Sequence, residues 1–322
     1  VHADLSLISD DGLGSEYRIS LKSDSLKDTI PEAVADKIKN MPETENVYAT
    51  KYTMGELQIS KNEFLSEEEW SDYFKYQNQE PYYIQRYDGI CKQQEDGNYR
   101  IKYNVYGYDE AMIEQLRDFI LEGEIQPETI KNNNQVIVTA NMDGQGNYFF
   151  YGKKPGDTIT LRVPKTENYT DELLKFQSGE ENYIEKEFEI AAIVNRPLAQ
   201  EKDFLNTEVW KNAQSVIMTG EQMEENFGIT DYSFINASPA DSADAKIVSN
   251  QLLQVIRDVP KAVLQDYTTA IATQKGYLGQ QQIFFSSIAV ILLIISLFHI
   301  VNSMSQTILT RRREYGIIRA IG

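Results

Sequence analysis

The sequence predicts an α+β protein: a split βαβ-βαβ layer carrying an inserted small α+β, mostly-β subdomain, followed by one transmembrane helix. Three observations predict it. A strand–helix–strand pattern occupies residues 15–53, and the same order recurs over residues 231–268. Residues 283–301 form an uncharged apolar run long enough to cross a bilayer. The composition is globular, with 41% hydrophobic and 25% charged residues in 322, which excludes collagen-like, low-complexity and fully disordered chains. That length suits about two folded units. The chain opens on Val1 rather than Met, so it is expected to be a piece of a longer protein.

The first pattern opens with SEYRISLK, in which Tyr17, Ile19 and Leu21 alternate onto one face of a strand. DTIPEAVADKIKNMP follows as a helix, with Asp28 or Thr29 as cap, Pro31 in the first turn and Val34, Ile38 and Met41 on one face. ENVYATKYT reads as the next strand. The second pattern has DYSFINAS as strand, a helix with Ile247, Val248, Leu252, Ile256 and Val259 apolar at helical spacing, then KAVLQDYT as strand. An unbroken α/β sheet is the alternative, but the middle of the chain lacks the strand–helix rhythm it needs.

The middle, residues 55–230, reads mostly as strands and turns. RIKYNVYGYD, QVIVTANM, KKPGDTITLRV and KEFEIAAIVNRPL alternate, with Pro155, Gly156 and Asp157 as a turn. AMIEQLRDFILEGE reads as a short helix ending near Gly123, and AQSVIMTGEQMEENFG as a strand then a short helix. Residues 61–98 are expected to be a decorated loop region.

The tail is the sharpest signal. IFFSSIAVILLIISLFHIV, residues 283–301, holds no charge, three Ser and one His. As a helix it spans roughly 28 Å, about the hydrocarbon thickness of a bilayer. A buried core helix is the other reading, disfavoured because such helices carry a polar face. Its position near the C-terminus excludes a secretory signal. Arg311, Arg312, Arg313 and Arg319 follow it, while the twenty residues before it carry only Asp266 and Lys275. The positive-inside rule therefore places the C-terminal end in the cytoplasm of a cell (plasma) membrane protein and residues 1–278 outside the cytoplasm. Those residues hold 27 basic and 48 acidic side chains, a net of −21, which keeps them off an anionic lipid surface.

Composition narrows the chemistry. The net charge of −18 argues against nucleic acid as a partner. One Cys and two His make neither a disulfide nor a zinc site, and no Ser-His-Asp or Cys-His arrangement is credible with His2 at one end and His299 in the apolar run. Cys91 reads as an ordinary buried or loop thiol. No Gly-rich loop with Lys and Ser/Thr exists, so the chain does not bind ATP itself. The acidic run at residues 66–69 reads as a solvated face or a helix start rather than a metal site, and calcium-loop spacing is missing. The sequence thus predicts no enzyme, cofactor or metal site.

With these residues in view, the segment order resembles the FtsX-like/MacB-type permease family of ABC transporters, the type VII or mechanotransmission group. The resemblance rests on MPETENVYAT closing the first unit, VYGYDEAMIEQLRDFILEGE, QVIVTANM, GKKPGDTITLRV, FEIAAIV and, most specifically, ILTRRREYGIIRAIG after the apolar run. Residues 55–97 match no motif of the family. The resemblance implies a porter-like part at 1–54 and 231–278, an inserted subdomain at 55–230, a transmembrane helix at 279–302 that is the family's second, and a cytoplasmic coupling helix at 303–322. It also implies a cytoplasmic ABC ATPase subunit as partner, a second permease copy or paralogue, and a peptide, lipoprotein or lipid ligand.

Arg312, Arg313, Glu314, Tyr315, Gly316, Ile318 and Arg319 are the candidate coupling residues. Tyr315, Ile318 and Arg319 lie at i, i+3 and i+4 and share a face. The resemblance makes Glu314 and Arg319 polar contacts to the ATPase and Gly316 a point of close approach; a plain stop-transfer cluster is the competing reading. Ser286, Ser287 and Ser296 can bond to carbonyls of their own helix or pack against a neighbouring one in contact with membrane lipids. His299 sits near the cytoplasmic end of the run, within reach of interfacial water. Gly276 and Gly279 are expected to weaken the helix just before the membrane. Two other classes remain: a division-type permease regulating a cell-wall hydrolase, and a single-pass surface sensor or adhesin.

Overall fold

The computed structural model describes residues 13–23, 25–61, 81–142, 147–167, 169–176, 179, 181–198 and 214–322. His2, the acidic run at 66–69 and much of the 61–98 region lie outside the described residues. The chain divides into two compact units, residues 1–268 and 269–322.

In the first unit, β1 (Tyr17–Leu21), α1 (Glu32–Lys39) and the first part of β2 (Thr44–Ile59) form one strand–helix–strand half. The other half is β12 (Phe234–Pro239), α6 (Ala245–Ile256) and β13 (Ala262–Asp266). The four strands lie in the order β13-β1-β12-β2, every pair antiparallel, which is the split βαβ layer the two sequence patterns predict. Tyr17, Ile19, Val34, Ile38, Ile235, Val248 and Leu252 share one core cluster between the sheet and the two helices.

Local chemistry departs from expectation at both helices. Neither Asp28 nor Thr29 caps α1; Pro31 is the N-cap, with no side-chain bond. Asp28 instead accepts from Lys261 Nζ at 2.6 Å, and the Thr29 hydroxyl donates to Asp231 at 2.8 Å. In α6, Asp244 caps through Lys246 N–H at 2.8 Å, and Val248, Leu252 and Ile256 face the core. Ile247 does not share that face and is 55% exposed.

The middle of the chain closes on itself. β4 (Tyr99–Tyr108), β6 (Gln135–Thr139), β9 (Thr158–Pro164), β10 (Tyr183–Val194) and β11 (Ser215–Thr219) join the second part of β2. The order β2-β9-β10-β6-β11-β4 returns to β2, because β2 pairs β9 on one edge and β4 on the other. The result is a ring of six strands with no free edge among them. At Gly55, just before β2 begins to pair with β9, a Cβ would stand 3.0 Å from Leu161 Cδ1 and 3.1 Å from Val105 Cγ2, so any side chain there would crowd both neighbouring strands.

Shorter elements decorate the ring. α2 (Pro81–Tyr87) and β3 (Cys91–Gln93), a strand paired with β4, occupy part of the region expected to be loop. α3 (Glu110–Gln115) starts at an Asp109 cap and tightens into a 3₁₀ turn over Leu116–Phe119. Ile120–Gly123, expected to complete that helix, is instead strand β5, paired with β10: Gly123 has φ +90° and ends the segment against Ala191. α4 (Pro127–Asn132), the small hairpin β7 (Asn141–Met142) and β8 (Tyr148–Phe149), and a 3₁₀ turn at Asp171–Leu174 follow. α5 (Gly220–Phe227) opens on a capping box in which Thr219 Oγ1 accepts from Gln222 N–H and the Gln222 side-chain Oε1 accepts from Thr219 N–H at 3.0 Å.

One polar cluster is buried among the strands. Register places Glu56 opposite Lys102 on β4 and opposite Arg162 on β9. Lys102 Nζ is 2.6 Å and Arg162 Nη1 3.7 Å from the Glu56 carboxylate, all three side chains being 2–3% exposed. The Arg162 guanidinium also donates to Gly179 O at 2.7 Å and lies 3.7 Å from the Tyr183 ring centre; Lys102 Nζ lies 4.2 Å from that of Phe176. Burial pulls the Lys102 pKa down, and Glu56 opposes that shift.

The second unit is α7 (Thr268–Ile321), a single helix of 54 residues, about 80 Å long. Gly276 and Gly279, expected to weaken it, leave it unbroken.

Candidate functional site

The apolar run lies in the middle of α7. Its most apolar 18-residue window has a mean hydropathy of 2.6 and none of it is buried. Phe284, Phe285, Leu293 and Phe298 are each more than 60% exposed. The run is apolar on every side of the helix, so lipid or other apolar helices must cover all of it. Ser287 and Ser296 donate to the carbonyls of Ile283 and Leu292 at 2.7 and 2.8 Å, the local bond that satisfies a hydroxyl inside a helix. Nine residues apart, they face opposite sides, so with Ser286 they do not line a single stripe. His299 is exposed within the run, close to its C-terminal end.

The candidate coupling residues Arg312, Arg313, Glu314, Tyr315, Gly316, Ile318 and Arg319 occupy the last turns of α7, all exposed. Helical geometry brings Tyr315, Ile318 and Arg319 onto one face as their spacing requires. A Cβ at Gly316, as at Gly276 and Gly279 of the same helix, would meet nothing within 4 Å.

Cys91 begins β3, is 9% exposed, and burial pushes its thiol pKa up, which keeps it protonated and unreactive. Among the described residues no group of three His, Cys, Asp or Glu side chains is placed to hold a metal ion.

Sequence reasoning missed a cleft in the first unit. It has a volume of about 720 Å³ and lies beside the seam between the split βαβ layer and the strand ring. Beside it, reciprocal backbone bonds between Ile30 and Tyr232, 2.7 and 2.9 Å, and the Thr29–Asp231 bond join the two halves of the split βαβ layer. Tyr52, Thr53, Pro164, Tyr169, Ile229 and Ser233 are the cleft's buried lining. Lys27, Thr166, Glu167, Thr170 and Thr230 are its exposed lining. Gly228, at φ +68°, ends α5 in the left-handed conformation and turns the chain into this wall. Burial, then the neighbouring Asp171 carboxylate, raises the Tyr169 pKa. These residues come from four separate segments, none carrying a motif, so no linear signal points to them.

No family model matches this sequence, and no curated protein does. Among solved structures, the chain is similar to the periplasmic region of MacB from Actinobacillus actinomycetemcomitans, with 9% identity, a TM-score of 0.44, and 82% of this chain and 94% of that one covered. It is also similar to the extracellular domain of the noncanonic ABC-type transporter YknZ from Gram-positive bacteria, with 8% identity, a TM-score of 0.41, and coverage of 78% and 100%.

Proposed function

We propose that this chain is the permease subunit of an ABC transporter of the mechanotransmission kind, in which residues 1–278 stand outside the cytoplasm. A separate cytoplasmic ATPase docks on the end of α7 and hydrolyses ATP there. The displacement travels along α7 to the outer unit, whose change of posture exports, releases or senses a peptide, lipoprotein or lipid. The observation that carries this reading is α7 itself: one unbroken helix with an exposed apolar belt in its middle and an arginine-rich, glycine-containing end. An unbroken helix transmits a displacement, whereas a hinge would absorb it. The ILTRRREYGIIRAIG pattern supports an ATPase as the docking partner rather than a plain stop-transfer end.

The test is coupling in the reconstituted transporter. Glu314→Lys and Arg319→Glu are each expected to abolish stimulation of the ATPase while the circular dichroism and thermal midpoint of the outer unit stay unchanged. Full stimulation in both variants would remove the assignment. A cysteine placed at Arg312 should resist a membrane-impermeant maleimide applied outside intact cells; rapid labelling would reverse the orientation.

A further inference from the structure

We infer that the cleft beside the seam is a binding site for a short cationic, amphipathic peptide. Its volume, about 720 Å³, falls within the range of small-ligand sites, roughly 300–1,000 Å³, and such sites favour the junction of two packed units. Its buried lining residues Tyr52, Tyr169 and Ile229 belong to the core of the strand ring, while Thr29 and Asp231 adjoin Ile30 and Tyr232 of the core under α1 and α6.

The lining selects the chemistry. Tyr52, Pro164, Tyr169 and Ile229 are buried and present aromatic and aliphatic surface, which suits one apolar side chain. Thr166, Thr170 and Thr230 offer hydroxyls that both donate and accept, which suits a peptide backbone. The charged lining is Glu167 and Asp231 against Lys27, and Asp171 stands just behind, bonded to the Ser25 hydroxyl at 3.1 Å. Residues 1–278 carry a net of −21, a field that concentrates cations at this surface and repels anions. An acidic or purely apolar ligand leaves Glu167 and Asp231 without a counter-charge, whereas a peptide with an apolar side chain between basic ones meets the carboxylates, the hydroxyls and the apolar wall, with Lys27 opposing it. Such an occupant touches Leu26–Thr29 on one side of the seam and Pro164–Thr170 on the other, so it would fix how the two parts lean on each other.

The site is independent of the ATPase reading, because binding here requires neither the end of α7 nor nucleotide. The test uses the full chain in phosphatidylcholine nanodiscs, titrated calorimetrically with the blocked tetrapeptide KLYK, with empty nanodiscs subtracted. One-to-one saturable binding is expected, and the blocked peptide ELYE should not bind. Glu167→Lys should weaken KLYK by about tenfold, Lys27→Glu should tighten it several-fold, and Thr230→Trp, which fills the mouth, should abolish it. All three positions are exposed, so the fold tolerates the changes, and the opposite signs at Glu167 and Lys27 separate a charge effect from damage. Equal binding of ELYE, indifference to Thr230→Trp, or no KLYK binding at millimolar peptide overturns the inference. Any of these results leaves the ATPase-coupling test untouched.

Discussion

Removing Glu56 tests whether the strand ring depends on its buried charges. Glu56→Ala leaves Lys102 and Arg162, both 2–3% exposed, without their shared counter-charge. Breaking a buried pair from one side costs about 3–5 kcal/mol, because the remaining ion keeps its desolvation penalty and loses its partner. A domain has about 5–15 kcal/mol in all. For a unit of this size each kcal/mol moves the midpoint by about 2–4 °C, so the expected drop in Tm is roughly 6–20 °C. The assay is thermal denaturation of the full chain in detergent, followed by circular dichroism in the strand region. A second arm replaces all three charges, Glu56→Leu with Lys102→Met and Arg162→Met. This should recover most of the loss, since apolar side chains of similar volume need no partner. A single-variant cost below about 1 kcal/mol, the size of an exposed pair, would refute the reasoning.

Two further outcomes follow from the backbone and from the tyrosines. Gly123→Ala places a Cβ 2.3 Å from Ala191 O at φ +90°, whereas Gly156→Ala has a similar φ of +92° but nothing within 4 Å. The first should cost about 2–5 kcal/mol and the second only the backbone strain, about 1 kcal/mol, in chemical denaturation; equal costs would sink the contact argument. Burial raises the pKa of Tyr17 to about 12 and pushes those of Tyr169 and Tyr183 up as well. A phenol whose folded pKa is raised contributes stability that is full below its unfolded value near 10 and is lost as pH climbs through the folded value. Stability should therefore fall from about pH 10 toward pH 12. Lys102, with its pKa lowered, acts in the opposite sense in the alkaline range just below its ordinary value, so a stability that rises from pH 10 to 12 would contradict the tyrosine assignment.

The sequence made the local parts legible. β1, α1, β12, α6 and β13 announce themselves through alternation or helical spacing, and most bury the side chains that spacing selects, but Ile247 is exposed and Met41 and the residues of β13 are no more than partly buried. The apolar run of α7 is equally plain, since length and lack of charge are linear properties. Closure of the ring was not legible, because it depends on β2 continuing to Ile59 and pairing residues 40 or more positions away. ENVYATKYT reads as a complete strand, and beyond it Glu56 and Gln58 fall on the face that Tyr52 and Met54 occupy. Their reason lies on the neighbouring strands, where Lys102 and Arg162 wait for Glu56. The helix misread at Ile120–Gly123 has the same cause: partner β10 overrides local propensity. The cleft left no trace because its lining is assembled only by the fold. The face at Tyr315, Ile318 and Arg319 could be read from spacing alone, since a lone helix keeps its sequence geometry.

β2 belongs to both sheets without interruption over its 16 residues. A rigid-body hinge between the layer and the ring would have to crease this backbone and break its cross-strand bonds, so the two parts should flex together like the ends of a leaf spring. Motion entering at either end is stored as twist in one extended segment and returned when the load is lifted.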